Sequence, residues 1–181
     1  MAFLDDASTD TRWTIVAVAG VLTVVVSVLF NRLGMRMKAH GGHGYNDFQG
    51  LGSADRVREI LAAWGPEGLA AARKAWLLDL VYPPSYALLF ATLASLCATH
   101  ADSVGWGAFS TAMDKVSIFA IAAGTADLLV ENPAVAVGLW RAPSDTAAQL
   151  ARGAGRIKWL LIVVVVLALL GAGAAFLIEK A

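Results

Sequence analysis

The sequence predicts an all-α integral membrane protein: a bundle of four transmembrane helices with a short amphipathic interfacial helix between the first and second spans. Composition is the first reason, because 58% of the residues are hydrophobic and only 15% are charged, below the roughly 25% of soluble domains. Pattern is the second, because the apolar residues form long runs separated by glycine-rich or basic stretches. The length of 181 residues predicts one domain, spanning residues 1–181.

The first hydrophobic run, at residues 13–33, is rich in Val, Ala and Leu and predicts the first transmembrane helix. The preceding residues 1–10 include Asp5, Asp6 and Asp10 and no basic residue. A secretory signal has a basic n-region and a cleavage site of small residues, so we interpret this run as a helix of the mature protein.

A glycine-rich stretch at residues 34–52 follows and predicts a solvated loop. It contains His40 and His43, but no cysteine or acidic residue stands at a metal-ligand spacing from them. We therefore predict no metal site. The single cysteine, Cys97, lies in an apolar run and excludes an intramolecular disulfide.

Residues 53–64 have the periodicity of an amphipathic helix. Ser53 is the expected N-cap, and Val57, Ile60 and Trp64 fall on one face at helical spacing. Gly65 followed by Pro66 predicts that one helix ends and the next begins there. Two arginines and a tryptophan favour a position on the membrane surface; a lid over the site is the alternative.

Three further spans are predicted, at residues 67–98, 114–139 and 159–178. The proline pair Pro83-Pro84 interrupts the first of these, and we expect a kink. A short polar connection at residues 99–111 precedes the third span, and a basic loop at residues 140–158 precedes the fourth.

The basic residues predict the topology, because they are concentrated in the first and third loops and few lie elsewhere. The positive-inside rule places these loops in the cytoplasm and both termini outside it. The predicted location is the bacterial cytoplasmic (inner) membrane, with membrane lipids as partners. A formal net charge of zero gives no indication of a nucleic-acid partner.

Three carboxyl groups lie in the interior of the predicted spans, away from the span ends, and such a group costs roughly 2.5–3.5 kcal/mol at the helix centre. These are Asp79, Asp127 and Glu131, which we predict to be catalytic. Asp127 and Glu131 share a helix face at i, i+4. Three carboxylates in a low dielectric cannot all be ionised at low cost, so at least one is expected to be protonated at neutral pH. A neutral acid beside an ionised one suits general acid–base chemistry.

Six residues near these carboxyl groups are predicted to bind substrate: Tyr82, Tyr86, Gly124, Asn132, Arg156 and Lys158. The two tyrosines share a stripe with Asp79, and with Asn132 they can orient the acids or donate to an oxyanion. Gly124 leaves room, and a basic residue at the start of the fourth span would neutralise Glu131 or attract an anionic group. Alternatively, the polar residues pair only to hold the helices in position.

Three stretches carry a family resemblance: YNDFQGLGSADRVREILAAWGPEG, the motif D-x-x-Y-P-x-x-Y beginning at Asp79, and D-x-x-x-E-N beginning at Asp127. With them the chain resembles a widespread, largely uncharacterised family of small bacterial four-helix integral membrane proteins. The resemblance implies an architecture and motif positions but no reaction. The layout is also similar, by analogy only, to the sterol-isomerase-like (EXPERA) proteins and to membrane terpene cyclases.

The leading hypothesis is therefore a membrane enzyme, an isomerase or a terpene-cyclase-like lyase without metal. It would protonate, isomerise or cyclise a lipophilic small molecule such as an isoprenoid. No cofactor motif is present, and none is predicted. The alternatives are a proton-coupled transporter or channel subunit, as a homo-oligomer, and a structural membrane subunit.

Overall fold

The computed structural model describes Leu4 and residues 6–179, and within this part of the chain it is helical, with no strand. Three stretches are long and apolar enough to cross a membrane: Thr9–Gly41, Ala54–Ser103 and Asp145–Ile178. The predicted all-α class, with helices suited to a bilayer, is confirmed. The helices are α1 (Thr9–Gly41), α2 (Tyr45–Gln49), α3 (Ala54–Asp79), α4 (Tyr82–Ser103), α5 (Gly107–Ala126), a π-helical turn (Asp127–Glu131), α6 (Asn132–Trp140) and α7 (Asp145–Glu179).

Helix α1 is longer than the predicted first span. Its first turn is capped by Ser8, whose Oγ accepts a hydrogen bond from the Thr11 N–H. It ends at Gly42, which adopts a φ of 73° and donates its N–H to the Lys38 carbonyl. Much of the predicted loop at residues 34–52 is therefore helical, because no residue from Thr9 to Gly41 has a left-handed conformation.

The predicted amphipathic helix at residues 53–64 is the first half of α3. Ser53 caps it, and Gly65, with a φ of 57°, bends the chain before Pro66, as predicted. Its apolar face, formed by Val57, Ile60 and Trp64, belongs to a core cluster with residues of the other helices. The protein itself therefore covers this face.

The predicted kink at the proline pair is a break between two helices. Helix α3 ends at Asp79, and α4 begins at Tyr82 with Pro83 and Pro84 in its first turn. This is the position that proline tolerates, because the first N–H groups of a helix have no partner within that helix. The break places the Asp79 side chain at the end of a helix.

The third hydrophobic segment is divided and begins earlier than the predicted residue 114. At its centre the Asn132 N–H donates to the Asp127 carbonyl, a bond one residue wider than in an α-helix. Pro133 gives the reason: it lacks an N–H and its ring presses on the preceding turn. The resulting π-helical turn contains two of the three predicted catalytic residues.

Helix α7 begins at Asp145, fourteen residues before the predicted fourth span at residue 159. The predicted basic loop at residues 140–158 is therefore mostly helical. The buried residues Ala148, Ala151 and Ala154 explain this, because they recur every three residues and pack against the rest of the bundle. The extension carries Lys158 into a helix.

Large apolar side chains on the outer faces of α1 and α7 are exposed, among them Val21, Val24, Leu160, Leu167 and Leu170. Exposed apolar surface of this extent requires cover, which a bilayer supplies. Inside, small residues of α4, α5 and α7 form a second core cluster that includes Ala91, Ala94, Val116, Ala120 and Val165.

Candidate functional site

Two carboxyl groups of the π-helical turn meet one lysine of α7. Lys158 Nζ lies 2.8 Å from Glu131 Oε2 and 3.2 Å from Asp127 Oδ2. All three residues are buried, each with an exposed fraction of 6% or less. Removing a lone charge from water costs several kcal/mol, so each charge here requires the others. The structure thus brings together three of the predicted site residues.

Gly155 of α7 allows the Glu131 carboxyl group to approach this helix closely. A Cβ atom at Gly155 would lie 3.3 Å from Glu131 Oε1 and 3.4 Å from Oε2. Those distances are at the lower limit of van der Waals contact, so a larger side chain would displace the carboxyl group. Gly155 therefore gives Glu131 its place beside Lys158.

Tyr86 contributes a second contact to the same cluster. Its hydroxyl donates to Asp127 Oδ2 over 3.1 Å, and the side chain is buried. Asp127 Oδ2 therefore contacts both a phenol and an ammonium group, whereas Asp127 Oδ1 has no hydrogen-bond partner in the described part of the chain. The predicted proximity of Tyr86 to the carboxyl groups is confirmed.

The third carboxyl group, Asp79, lies beside this cluster and has partners of its own. Gln49 Nε2 donates to Asp79 Oδ2 over 3.1 Å. Asn132 Nδ2 donates to the Asp79 backbone carbonyl over 2.8 Å, and Trp76 Nε1 donates to the Asn132 carbonyl over 2.9 Å. Asn132 thus links the end of α3 to the start of α6 and holds Asp79 near the π-helical turn.

A cavity of about 450 Å³ lies next to Asp79 and Lys158. Its wall consists of residues from α1, the α2 segment, the α3–α4 break and α7: Ser27, Phe30, Asn31, Gly34, Met35, Lys38, Gly44, Tyr45, Asn46, Asp47, Gln49, Asp79, Tyr82, Lys158 and Trp159. Asp127 and Glu131 do not line it, and Lys158 connects them to it. The cavity wall is therefore aromatic and polar, with one carboxyl group and one ammonium group at its buried end.

Of the cavity residues that the sequence prediction missed, Tyr45 and Gln49 interact with Asp79. Burial and the nearby Asp79 carboxyl raise the pKa of Tyr45 well above its ordinary value, so its hydroxyl stays neutral. The Tyr45 side chain is buried, and its hydroxyl interacts with the Asp79 carboxyl. The sequence offered one signal for these two residues, their position in the YNDFQ stretch. That stretch by itself does not indicate that α2 folds over Asp79.

The remaining predicted residues lie elsewhere or have other contacts. Tyr82 lines the cavity, and its hydroxyl accepts a hydrogen bond from Ser27 over 3.3 Å. Gly124 lies at the α4–α5 contact, where a Cβ atom would approach the Ala87 Cβ to 2.6 Å. Arg156 is exposed and does not line the cavity.

The chain was compared with family models, curated proteins and solved structures, and none of them matches. The family resemblance therefore stays a prediction. Among the described residues, no group of three His, Cys, Asp or Glu side chains is placed to hold a metal ion. Lys158 supplies the positive charge between the Asp127 and Glu131 carboxyl groups.

Proposed function

We propose that this protein is an integral membrane enzyme that performs acid–base chemistry on a lipophilic small molecule, with isoprenoids as the favoured class. The reaction is an isomerisation or cyclisation that begins with protonation. One observation carries the proposal: the cavity ends at Asp79 and Lys158, and Lys158 contacts two more buried carboxyl groups. The volume of the cavity, about 450 Å³, falls within the range of small-molecule sites.

Asp79 is the carboxyl group that touches the cavity, and we assign it the proton transfer to substrate. The proton adds to a carbon of a double bond, whose electron pair forms the new C–H bond. The substrate becomes a cation and Asp79 a carboxylate. Loss of a proton from a neighbouring carbon to a carboxylate then gives the isomer and restores the starting charge.

The Lys158 cluster supports this cycle electrostatically. Asp127 and Glu131 hold the ammonium group beside the cavity without entering it themselves. An ammonium group near Asp79 stabilises the carboxylate formed when the proton leaves. Tyr86 holds Asp127 in place through its hydroxyl.

The placement in the membrane is part of the proposal. Four crossings are formed by α1, by the second half of α3 with α4, by α5 with α6, and by α7. The combined length of α5, the π-helical turn and α6 is about 50 Å, enough for a crossing. The charged face of the first half of α3 lies at the inner interface, both termini lie outside, and substrate enters from the inner leaflet of a bacterial cytoplasmic membrane.

A proton-coupled transporter is the second candidate, because ionisable clusters at helix breaks also mark ion pathways. The buried cluster at the π-helical turn is the observation that favours it. The second core cluster argues against it, because small apolar residues such as Ala91, Ala94 and Ala120 are buried together there. A polar pathway through one copy of the chain would have to cross this region.

The experiment begins with lipid and metabolite extraction from the purified protein and identification of enriched compounds by mass spectrometry. The recovered compound is then incubated with the protein in deuterated water. An enzyme of this kind incorporates deuterium into carbon positions of the ligand. Asp79→Asn should abolish the incorporation, and the exposed control Asp55→Asn should not affect it.

Two results would contradict the enzyme proposal. If a bound compound is recovered but gains no deuterium, the protein binds the compound without catalysing proton transfer to it. Proton-dependent movement of that compound into proteoliposomes, again without deuterium in carbon positions, would establish the transporter instead.

A further inference from the structure

Acidic side chains outnumber basic side chains around the buried end of the cavity. Asp79, Asp127 and Glu131 are acidic, and Lys158 is the basic residue that contacts this group. Two more charged residues, Lys38 and Asp47, line the cavity, but both are exposed and opposite in sign. Asp47 also accepts the Gly44 N–H over 2.7 Å. When the carboxyl groups are ionised, the buried end is therefore negative.

Aromatic rings line the same part of the cavity. Phe30 lies between Tyr45 and Tyr82, with ring-centroid distances of 5.6 Å and 5.7 Å. All three rings line the cavity, as does the indole of Trp159. The faces of aromatic rings attract cations, and the attraction is largest where water is excluded.

Tyr45 connects the aromatic lining to the carboxyl group. It is 97% buried, lines the cavity, and its hydroxyl interacts with the Asp79 carboxyl. The Tyr45 ring and the Asp79 carboxyl therefore lie side by side at the buried end of the cavity.

We infer that the cavity binds a ligand whose positive charge lies between the Asp79 carboxyl and the rings of Phe30, Tyr45 and Tyr82. The inference rests on the proposed function, in which that charge belongs to the protonated substrate. The ligand class is an apolar cation: an alkyl group attached to a cationic centre. A quaternary ammonium compound has this charge permanently and requires no proton transfer.

The test compares three compounds with the same alkyl chain: hexyltrimethylammonium, its neutral tert-butyl isostere and hexanoate. Binding to the full chain is measured by calorimetry in nanodiscs of zwitterionic lipid, over a pH series that extends to values at which Asp79 has lost its proton. Empty nanodiscs are subtracted to remove partitioning. We expect the ammonium compound to bind about tenfold more tightly than the neutral isostere, as a desolvated cation–aromatic contact and a carboxylate predict. Hexanoate should bind most weakly.

Two variants test which residues cause the preference for the ammonium compound over its neutral isostere. Asp79→Asn and Phe30→Leu should each reduce the ratio of ammonium to neutral affinity several-fold, since the cation loses a carboxylate in the first variant and a ring face in the second. Asp55→Asn, an exposed carboxyl on α3, should leave the ratio unchanged. The comparison of ligands on the unmodified protein requires no variant, so it stands even if Asp79→Asn does not fold.

Equal binding of the ammonium compound and its neutral isostere at every pH of the series would overturn the inference, and so would a preference that survives both cavity variants. These outcomes are separate from the fate of the proposed function. Deuterium incorporation without an ammonium preference would keep the enzyme and remove the cation site. An ammonium preference that depends on Asp79, without deuterium incorporation, would keep the cation site and remove the enzyme.

Discussion

Lys158 Nζ, on α7, lies 2.8 Å from Oε2 of Glu131, the last residue of the π-helical turn. The same nitrogen lies 3.2 Å from Asp127 Oδ2. One cation therefore serves two carboxyl groups, so loss of one carboxyl leaves Lys158 with a partner, while loss of both does not. This relationship gives the cluster a distinctive pattern of expected mutational effects.

We expect Asp127→Asn and Glu131→Gln each to lower activity without abolishing it, while changing the free energy of unfolding by no more than about 1 kcal/mol. The amides keep the shape but do not supply the charge, and Lys158 keeps one carboxylate. The double variant should lose about 3–5 kcal/mol, because it buries an unpaired ammonium group. Thermal unfolding in detergent measures the stability of the single and double variants, and deuterium incorporation measures their activity. If the single variants melt at lower temperatures but keep full activity, Asp127 and Glu131 have only a structural role.

Asp79→Asn should behave differently from the cluster variants. The asparagine carbonyl can still accept the hydrogen bond that Gln49 Nε2 donates, and Asn132 bonds only the backbone carbonyl at this position. We therefore expect an unchanged melting temperature together with loss of deuterium incorporation. A folded Asp79→Asn protein with full activity would exclude this carboxyl as the proton donor.

Lys158→Met should destabilise the protein by about 3–5 kcal/mol, because it leaves Asp127 and Glu131 without their cation. Adding Asp127→Asn and Glu131→Gln to this variant removes the carboxyl groups as well and should restore most of the stability, without activity. Lys115→Met, at an exposed position of α5, is the matched control. If the triple variant melts no higher than Lys158→Met, the ion cluster does not account for the loss.

Gly124→Ala should cost about 1–3 kcal/mol, because its Cβ would approach the Ala87 Cβ to 2.6 Å and the Pro83 carbonyl oxygen to 3.0 Å. Helices α4 and α5 would have to separate. Gly153→Ala, a helical position with no atom within 4 Å of the new Cβ, is the control and should be neutral or stabilising. Equal melting temperatures for the two variants would contradict the close packing at Gly124.

Trp64→Ala should cost about 3–5 kcal/mol, the usual loss for a buried aromatic residue. Trp64 is 1% exposed, and its Nε1 donates to the His43 carbonyl over 2.8 Å. Trp13→Ala, at a side chain that is 54% exposed, should cost far less. If Trp64→Ala unfolds at the temperature of the unmodified protein, α3 does not pack as described, and the predicted lipid contact of Trp64 would be the better interpretation.

The proposed topology makes a prediction about the C-terminus. Because basic residues are concentrated in the first and third predicted loops, a reporter that is active only in the cytoplasm should give no signal when fused there. The same reporter inserted between Pro143 and Ser144 should be active. A strong signal from the C-terminal fusion would reverse the orientation.

Local patterns in the sequence were sufficient for several features of the fold. Apolar runs predicted membrane-length helices, and Gly65 followed by Pro66 predicted the bend in α3, where Gly65 has a φ of 57°. The stripe from Asp79 to Tyr86 predicted that Tyr86 would lie near the carboxyl groups, and it donates to Asp127. The helices and the bend depend on residues close in sequence, whose backbone preferences act without the rest of the chain. The Tyr86 contact with Asp127 joins residues 41 positions apart, so it also requires α4 to pack against the π-helical turn.

By itself, the sequence determined the helical class, the apolar segments and the identity of the three acidic residues. Only the tertiary structure decided that α7 begins at Asp145 and brings Lys158, rather than Arg156, to Glu131. It also decided that α2 folds over Asp79 and forms part of the cavity. The physical reason is that a buried charge is stabilised by partners from distant segments, so which residue becomes the partner depends on the packing of whole helices.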